Sequence, residues 1–157
     1  MWQFSLAFVA MATMPSDGVR LDGLWFEEPV RRSVHGAARR LAEPSCEAVL
    51  ADFRDTSGRG LRAGLGETGL DAPSYARIVL FYDGSNAERC RRPGILAFTV
   101  PGRRVVRVCP SLGRLAVAEP GLAESIVIHE ILHTLGLAEN PPSSDEITRA
   151  VERRCRP

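Results

Sequence analysis

Apolar side chains recur along this chain in two rhythms, one helical and one extended. From Val30 to Leu41 they fall at Val30, Val34, Ala37, Ala38 and Leu41, the spacing of a single helical face. Pro44 breaks that helix and, with Ser45, opens a second, whose inward positions are Ala48, Val49 and Phe53. Residues 55–76 are rich in glycine and predict a loop. Ile78 to Tyr82 is apolar on both faces and runs into Asp83-Gly84, the pattern of a central strand and a turn. Two further strands are expected at Ile95 to Val100 and Arg104 to Cys109. Pro101-Gly102 between them suits a type II turn, because proline presets φ and glycine accepts a positive φ.

A long helix follows, from about Pro120, a residue at home in the first helical position, to Leu135, with Gly136 as its stop. Leu122, Ile126, Val127, Ile128, Ile131, Leu132 and Leu135 make it apolar nearly all round, so it belongs in the centre of the fold. A last helix spans Asp145 to Cys155, with Ile147, Val151 and Cys155 as its stripe; Ser143 or Ser144 caps it, with Glu146 near its first turn. Helices, then a small sheet, then helices define an α+β domain, its short sheet mainly antiparallel or mixed. The 157 residues suffice for one domain with its own core, placed at 17–157, where residues 15–29 lead in through a short extended piece around Leu24–Phe26.

Charge narrows the function classes. The formal net charge is +1, so no strong field draws in nucleic acid or anionic membranes, and neither is an expected partner. All twenty basic residues are arginine, scattered among acidic ones as a solvated surface. The apolar run within Met1–Met14 is too short to span a bilayer but has the length of a signal-peptide core, with Ala10-Met11-Ala12 as a small-residue motif. Residues 1–16 are therefore read as a signal peptide and the chain as secreted or periplasmic, with no membrane span in the mature form. A first strand or buried helix is the alternative. The four cysteines lie in no C-x-x-C pair and, in an exported chain, would form two disulfides. Cys90 and Cys109 flank one expected hairpin and are paired on that ground, which leaves Cys46 with Cys155.

The chemistry lies in residues 129–139, HEILHTLGLAE. His129 and His133 stand at i and i+4, about 6 Å apart along a helix axis, so both imidazoles can reach one metal ion. Glu130, rotated by about 100°, is not a ligand but a candidate general base, placed to take a proton from water in the metal's open position. Zn2+ suits two imidazoles plus one further protein ligand. Burying two histidines and a glutamate in an apolar helix is costly unless they are paired or hold a metal; a satisfied polar cluster is the metal-free alternative. For the third ligand, Glu139 is favoured, because Gly136 lets the chain turn sharply off the helix and bring it back; Glu152 on the last helix is the rival.

The segment H-E-x-x-H-x-x-G-x-x-E, from His129 to Glu139, resembles the metzincin pattern, with Glu139 where that superfamily places histidine. Some small secreted metzincins use an acidic residue there. Glu152 as the ligand would instead resemble thermolysin-like enzymes. The stretch Glu139-Asn140-Pro141-Pro142-Ser143-Ser144-Asp145 is similar to a set of uncharacterised small bacterial zincin-like proteins, over the C-terminal two-thirds of the chain. The resemblance implies a zincin-like fold around the helix bearing both histidines, and a zinc metallopeptidase acting on a peptide or protein substrate. Such enzymes commonly take substrate as an added strand on a sheet edge. There are departures. No methionine follows Met14 to form the metzincin methionine turn, and no tyrosine follows His133. Tyr75, Tyr82, His35 or an arginine is left to polarise the substrate carbonyl.

Two other readings compete. One is a non-catalytic, exported metal-binding module, whose structural ion would want four protein ligands, for instance with an unpaired cysteine as the fourth. The other is a metal-dependent endoribonuclease, because H-x3-H-x5-H spacing resembles one bacterial RNA-processing family; that family lacks the glutamate, and the near-neutral charge also argues against it. Oligomeric state leaves no mark in the sequence.

Overall fold

Helix α1 (Glu27–Leu41) buries Val30, Val34, Ala37, Ala38 and Leu41, the face its periodicity marks out, and adds Ser33 and Gly36. Glu27 and Glu28 sit in its first turn and Arg39 and Arg40 in its last, each complementing the helix dipole. These and the other elements come from a computed structural model, which describes residues 19–21 and 26–156. The expected signal peptide at 1–16, most of the extended piece around Leu24–Phe26, Trp2 and Trp25 fall outside the described residues.

The chain order is β1 (Val19–Arg20), α1, α2 (Pro44–Glu47), α3 (Leu61–Gly66), α4 (Ala72–Ile78), β2 (Leu80–Asp83), β3 (Ala97–Thr99), β4 (Val105–Val108), α5 (Pro110–Ala118), α6 (Pro120–Thr134) and α7 (Ser144–Arg154). The α+β class read from the sequence is the one observed. The sheet is mixed, in the order β1-β2-β4-β3. Strand β2 is central, parallel to β1 and β4, while β3 lies antiparallel to β4 at one edge. Phe81, Val106 and Val108 turn into the core.

Three local expectations fail. Residues 55–76 are not simply a loop, since α3 and most of α4 lie there, and Ile78 ends α4 rather than starting a strand. Leu61, Leu65, Ala72, Tyr75 and Ala76 are buried, so packing secures short helices that glycine content argues against. Asp71 caps α4, accepting from the Ser74 amide at 2.8 Å, with proline in the first turn; that signal was present in Asp71-Ala72-Pro73-Ser74. Helix α5, which opens on Pro110 and buries Leu112, Gly113 and Ala116, was not anticipated. The second helix is also shorter, α2 passing into a 3-10 turn at Ala48–Ala51.

Helix α6 occupies the middle, packed against α1, α5, α7 and the sheet. Its approach to α1 is so close that a Cβ on Gly36 would come within 2.1 Å of Glu124 Oε1. The same Glu124 pairs with Arg40 at 2.7 Å, and Arg40 also donates to the Cys155 carbonyl at 3.1 Å, joining α1, α6 and the C-terminal segment. The β3–β4 turn is type II as expected: Arg103 N donates to Val100 O at 2.9 Å and Gly102 has φ of 78°. Gly102 N in turn donates to His133 O at 2.9 Å, docking the hairpin on the carboxy-terminal end of α6.

Both disulfides form as paired from the sequence, Cys46–Cys155 and Cys90–Cys109. Among the described residues, no helix is long and apolar enough to cross a membrane. The Cys46–Cys155 bridge ties α2 to the end of α7 across 109 residues. Replacing both cysteines by alanine is expected to lower the free energy of unfolding by about 2–5 kcal/mol, read from denaturant titration monitored by circular dichroism.

Candidate metal centre

The last two turns of α6 carry His129, Glu130 and His133, all buried, in a helix otherwise largely apolar. The helix ends in a Schellman turn: Gly136 N donates to His133 O at 2.9 Å and Leu137 N to Leu132 O at 3.3 Å. Gly136 has φ of 105°, and a Cβ there would lie 2.9 Å from Asp55 Cβ, so both conformation and space call for glycine. Thr56 N donates to Gly136 O at 3.2 Å, which holds the turn from below. Leu137 then plugs into the core, and the chain reverses to bring Glu139 back over the helix end.

The geometry at that end is convergent. The Nε2 atoms of His129 and His133 lie 2.9 Å apart, and Glu139 Oε1 stands 3.5 Å from the first and 3.3 Å from the second. These three side chains form a group that could hold a metal ion, their candidate ligand atoms all within 4.8 Å of one another. The far ring nitrogens are also engaged. His133 Nδ1 lies 2.7 Å from Leu137 O; a carbonyl only accepts, so this nitrogen carries the proton and Nε2 presents its lone pair to the group. His129 Nδ1 lies 2.9 Å from Thr148 Oγ1 on α7. A hydroxyl can accept or donate, so Thr148 serves His129 whether an ion is bound or His129 donates from Nε2 to His133 instead.

Glu152, the rival ligand, stands one turn beyond Thr148 and lines a separate depression with Arg40, Ser125 and Arg156. It is not part of the group. Thr148 and the Leu137 carbonyl were not legible in the sequence: a threonine beside a helix stripe has no distinguishing mark, and a carbonyl belongs to every residue.

Glu130 faces a cleft of about 310 Å³ shared with His129, His133 and Glu139 and walled by residues 94–99, which include β3. Its Oε2 is buried without a hydrogen-bond partner. Burial, and then the Glu139 carboxylate, push the Glu130 pKa up to about 8, while Arg89 pulls the other way. Burial, and then His133, depress His129 to about 4 against the opposing pull of Glu139, so at neutral pH His129 is uncharged, the form a metal requires. Of the groups that might polarise a substrate carbonyl, Tyr75 is buried and donates to Thr134, Tyr82 lies under Arg107, and His35 is exposed on α1. None of these lines the cleft; Arg89 does.

Two outcomes are expected. Thr148→Val should weaken metal affinity about 10- to 100-fold in chelator competition, because His129 loses its orienting partner. In the metal-free protein, stability linked to Glu130 is fully present below its unfolded value of 4.5 and is lost as pH rises through about 8. That linked to His129 is present above 6.5 and lost as pH falls through about 4. The two oppose each other between 4.5 and 6.5, so the thermal midpoint should fall from pH about 6.5 to about 8, and Glu130→Gln should flatten that fall. No protein-family model, curated protein or solved structure matches the chain, which leaves the site's own geometry as the guide to its chemistry.

Proposed function

We propose that the chain is an exported zinc-dependent metallopeptidase, with His129, His133 and Glu139 as ligands and Glu130 as general base. The observation that carries this reading is the orphaned, buried Glu130 Oε2 opening on the same cleft as the three convergent ligands. A buried carboxylate without a partner is destabilising, and a proton-transfer role gives a reason for keeping it there.

The ligand set suits zinc. Two imidazoles and one carboxylate make a three-ligand protein site with one open position, the arrangement of catalytic rather than structural zinc. A thiol as fourth ligand is removed, because all four cysteines are in disulfides. The same disulfides support an oxidising compartment, hence export.

When bound, zinc would polarise a peptide carbonyl and lower the pKa of water to about 7. The chain's own residues do the rest. Glu130 accepts one proton from the attacking water and hands it to the amide nitrogen as the C–N bond breaks. The Leu137 carbonyl and Thr148 keep both imidazoles turned toward the ion. Strand β3 ends the sheet order, and its residues wall the cleft, which supports an extended peptide docking along that edge.

The test begins with metal content, measured by mass spectrometry on protein purified without chelator or histidine tag. About one zinc per chain is expected in the parent and almost none in His133→Ala; no metal in either, after zinc is offered, would leave a buried polar cluster and remove the enzyme reading. Glu130→Gln should keep the metal and lose about 10²- to 10⁴-fold in turnover of a peptide library. Glu139→Ala should weaken metal retention far more than Glu152→Ala.

A further inference from the structure

Arg89 stands at the cleft wall with its guanidinium over the ring of Phe98, Cζ 5.1 Å from the centroid. Phe98 lies in β3, and both residues line the cleft that holds Glu130 and the three metal-ligand candidates. Among the described residues no other arginine lines it. Among the described residues Arg89 makes no ion pair with a carboxylate, though its charge is felt by Glu130. Neighbouring Glu88 faces Arg92 at 3.9 Å, and Asp83 accepts from the amide and hydroxyl of Ser85. Stacking on an aromatic ring fixes the plane of a guanidinium and leaves its N–H edge free to grip a carboxylate with two hydrogen bonds.

The base of Arg89 is held as firmly as its head. It sits in a 3-10 turn, Glu88–Arg91, closed by Cys90 N donating to Ala87 O at 3.0 Å and Arg92 N to Arg89 O at 3.2 Å. The next residue, Cys90, is bonded to Cys109 at the end of β4. An exposed arginine on a free loop would lose much side-chain entropy on gripping a ligand; Arg89 is exposed, but the ring above it and the disulfide below it reduce that loss.

The rest of the cleft makes this charge consequential. Apart from the two histidines, its other lining is apolar, hydroxyl-bearing or acidic, and without Arg89 no guanidinium among the described residues would face an anionic substrate group there. Because Arg89 lies over a side chain of the edge strand, a peptide docked along that edge would bring a side chain or chain end to it. We infer that Arg89 is a specificity determinant that selects peptides placing a carboxylate over Phe98. The carboxylate belongs either to an acidic side chain or to a free C-terminus. This rests on the peptidase reading for its substrate, but binding can be measured without turnover.

The experiment uses the oxidised, zinc-loaded chain carrying Glu130→Gln. Labelled peptides that hold Glu or Gln at one position, each with a free or an amidated C-terminus, are titrated by fluorescence anisotropy. Carboxylate-bearing peptides should bind about 10- to 100-fold more tightly than their neutral counterparts, the range for a charge-assisted pair. The Glu/Gln and acid/amide arms show which carboxylate is read. Adding Arg89→Gln should erase the preference, while Arg89→Lys should restore part of it. Equal binding of all peptides, no binding of any, or a preference that survives Arg89→Gln would overturn the inference. Turnover by the chain with Glu130 intact separates the two claims. Cleavage of neutral and acidic peptides alike would remove the selectivity and keep the peptidase. A binding preference without cleavage of any peptide would remove the peptidase and keep the carboxylate site.

Discussion

Helix α6 is apolar on almost every side and must be enclosed, yet its last two turns carry two imidazoles and a carboxyl group. That conflict between burial and polarity sets much of the architecture. Enclosure is supplied by α1, α5, α7 and the sheet, all packed on the one helix. The polar turn cannot be sealed in the same way, because each ring nitrogen and carboxylate oxygen needs a partner. The fold answers nitrogen by nitrogen: a backbone carbonyl for His133, a hydroxyl from α7 for His129, and a returning glutamate between them. Glu130 Oε2 alone is left over.

The partners come from three separate segments that also pack in the common core. Leu137 is brought in by the glycine turn, Thr148 by the capped start of α7, and the hairpin turn at Gly102 closes on the His133 carbonyl from the sheet side. The histidine pair is thus a junction of the helical and sheet halves. Arg89 belongs to the same junction from the far side of the cleft, through Phe98 and the Cys90–Cys109 bridge. On the peptidase reading, the strand edge that would hold substrate and the helix that would hold the ion are oriented by one hydrogen bond at Gly102 and by their shared core.

What could be read in advance divides along physical lines. Helices with full apolar faces, α1 and α6, announce themselves, as do the Pro101-Gly102 turn and the serine cap before α7, because each depends on a local preference of a few residues. Helices α3, α4 and α5 are too short for periodicity to outweigh glycine and proline; Leu61, Tyr75 and Leu112 are helical because tertiary burial holds them. The spacing of His129, Glu130, His133 and Glu139 is likewise local and legible. Thr148 and Arg89 are not, since their importance comes from what stands opposite them in space. Arginines are scattered through the chain, and only the stacking on Phe98 at the cleft wall sets this one apart.

One feature of the junction bears on how the molecule is made. Every group at the candidate metal site lies between His129 and Thr148, and the helix that fills the middle of the core begins only at Pro120. During vectorial synthesis helices α1 to α5 and the strands emerge before any of that helix exists. The inward face of α1 and the buried side of the sheet must then wait, half-uncovered, for their common partner. Cys46 must likewise remain unjoined until Cys155 arrives. Until residues 120–155 have followed, the shell is therefore incomplete, and the candidate metal site can assemble only then.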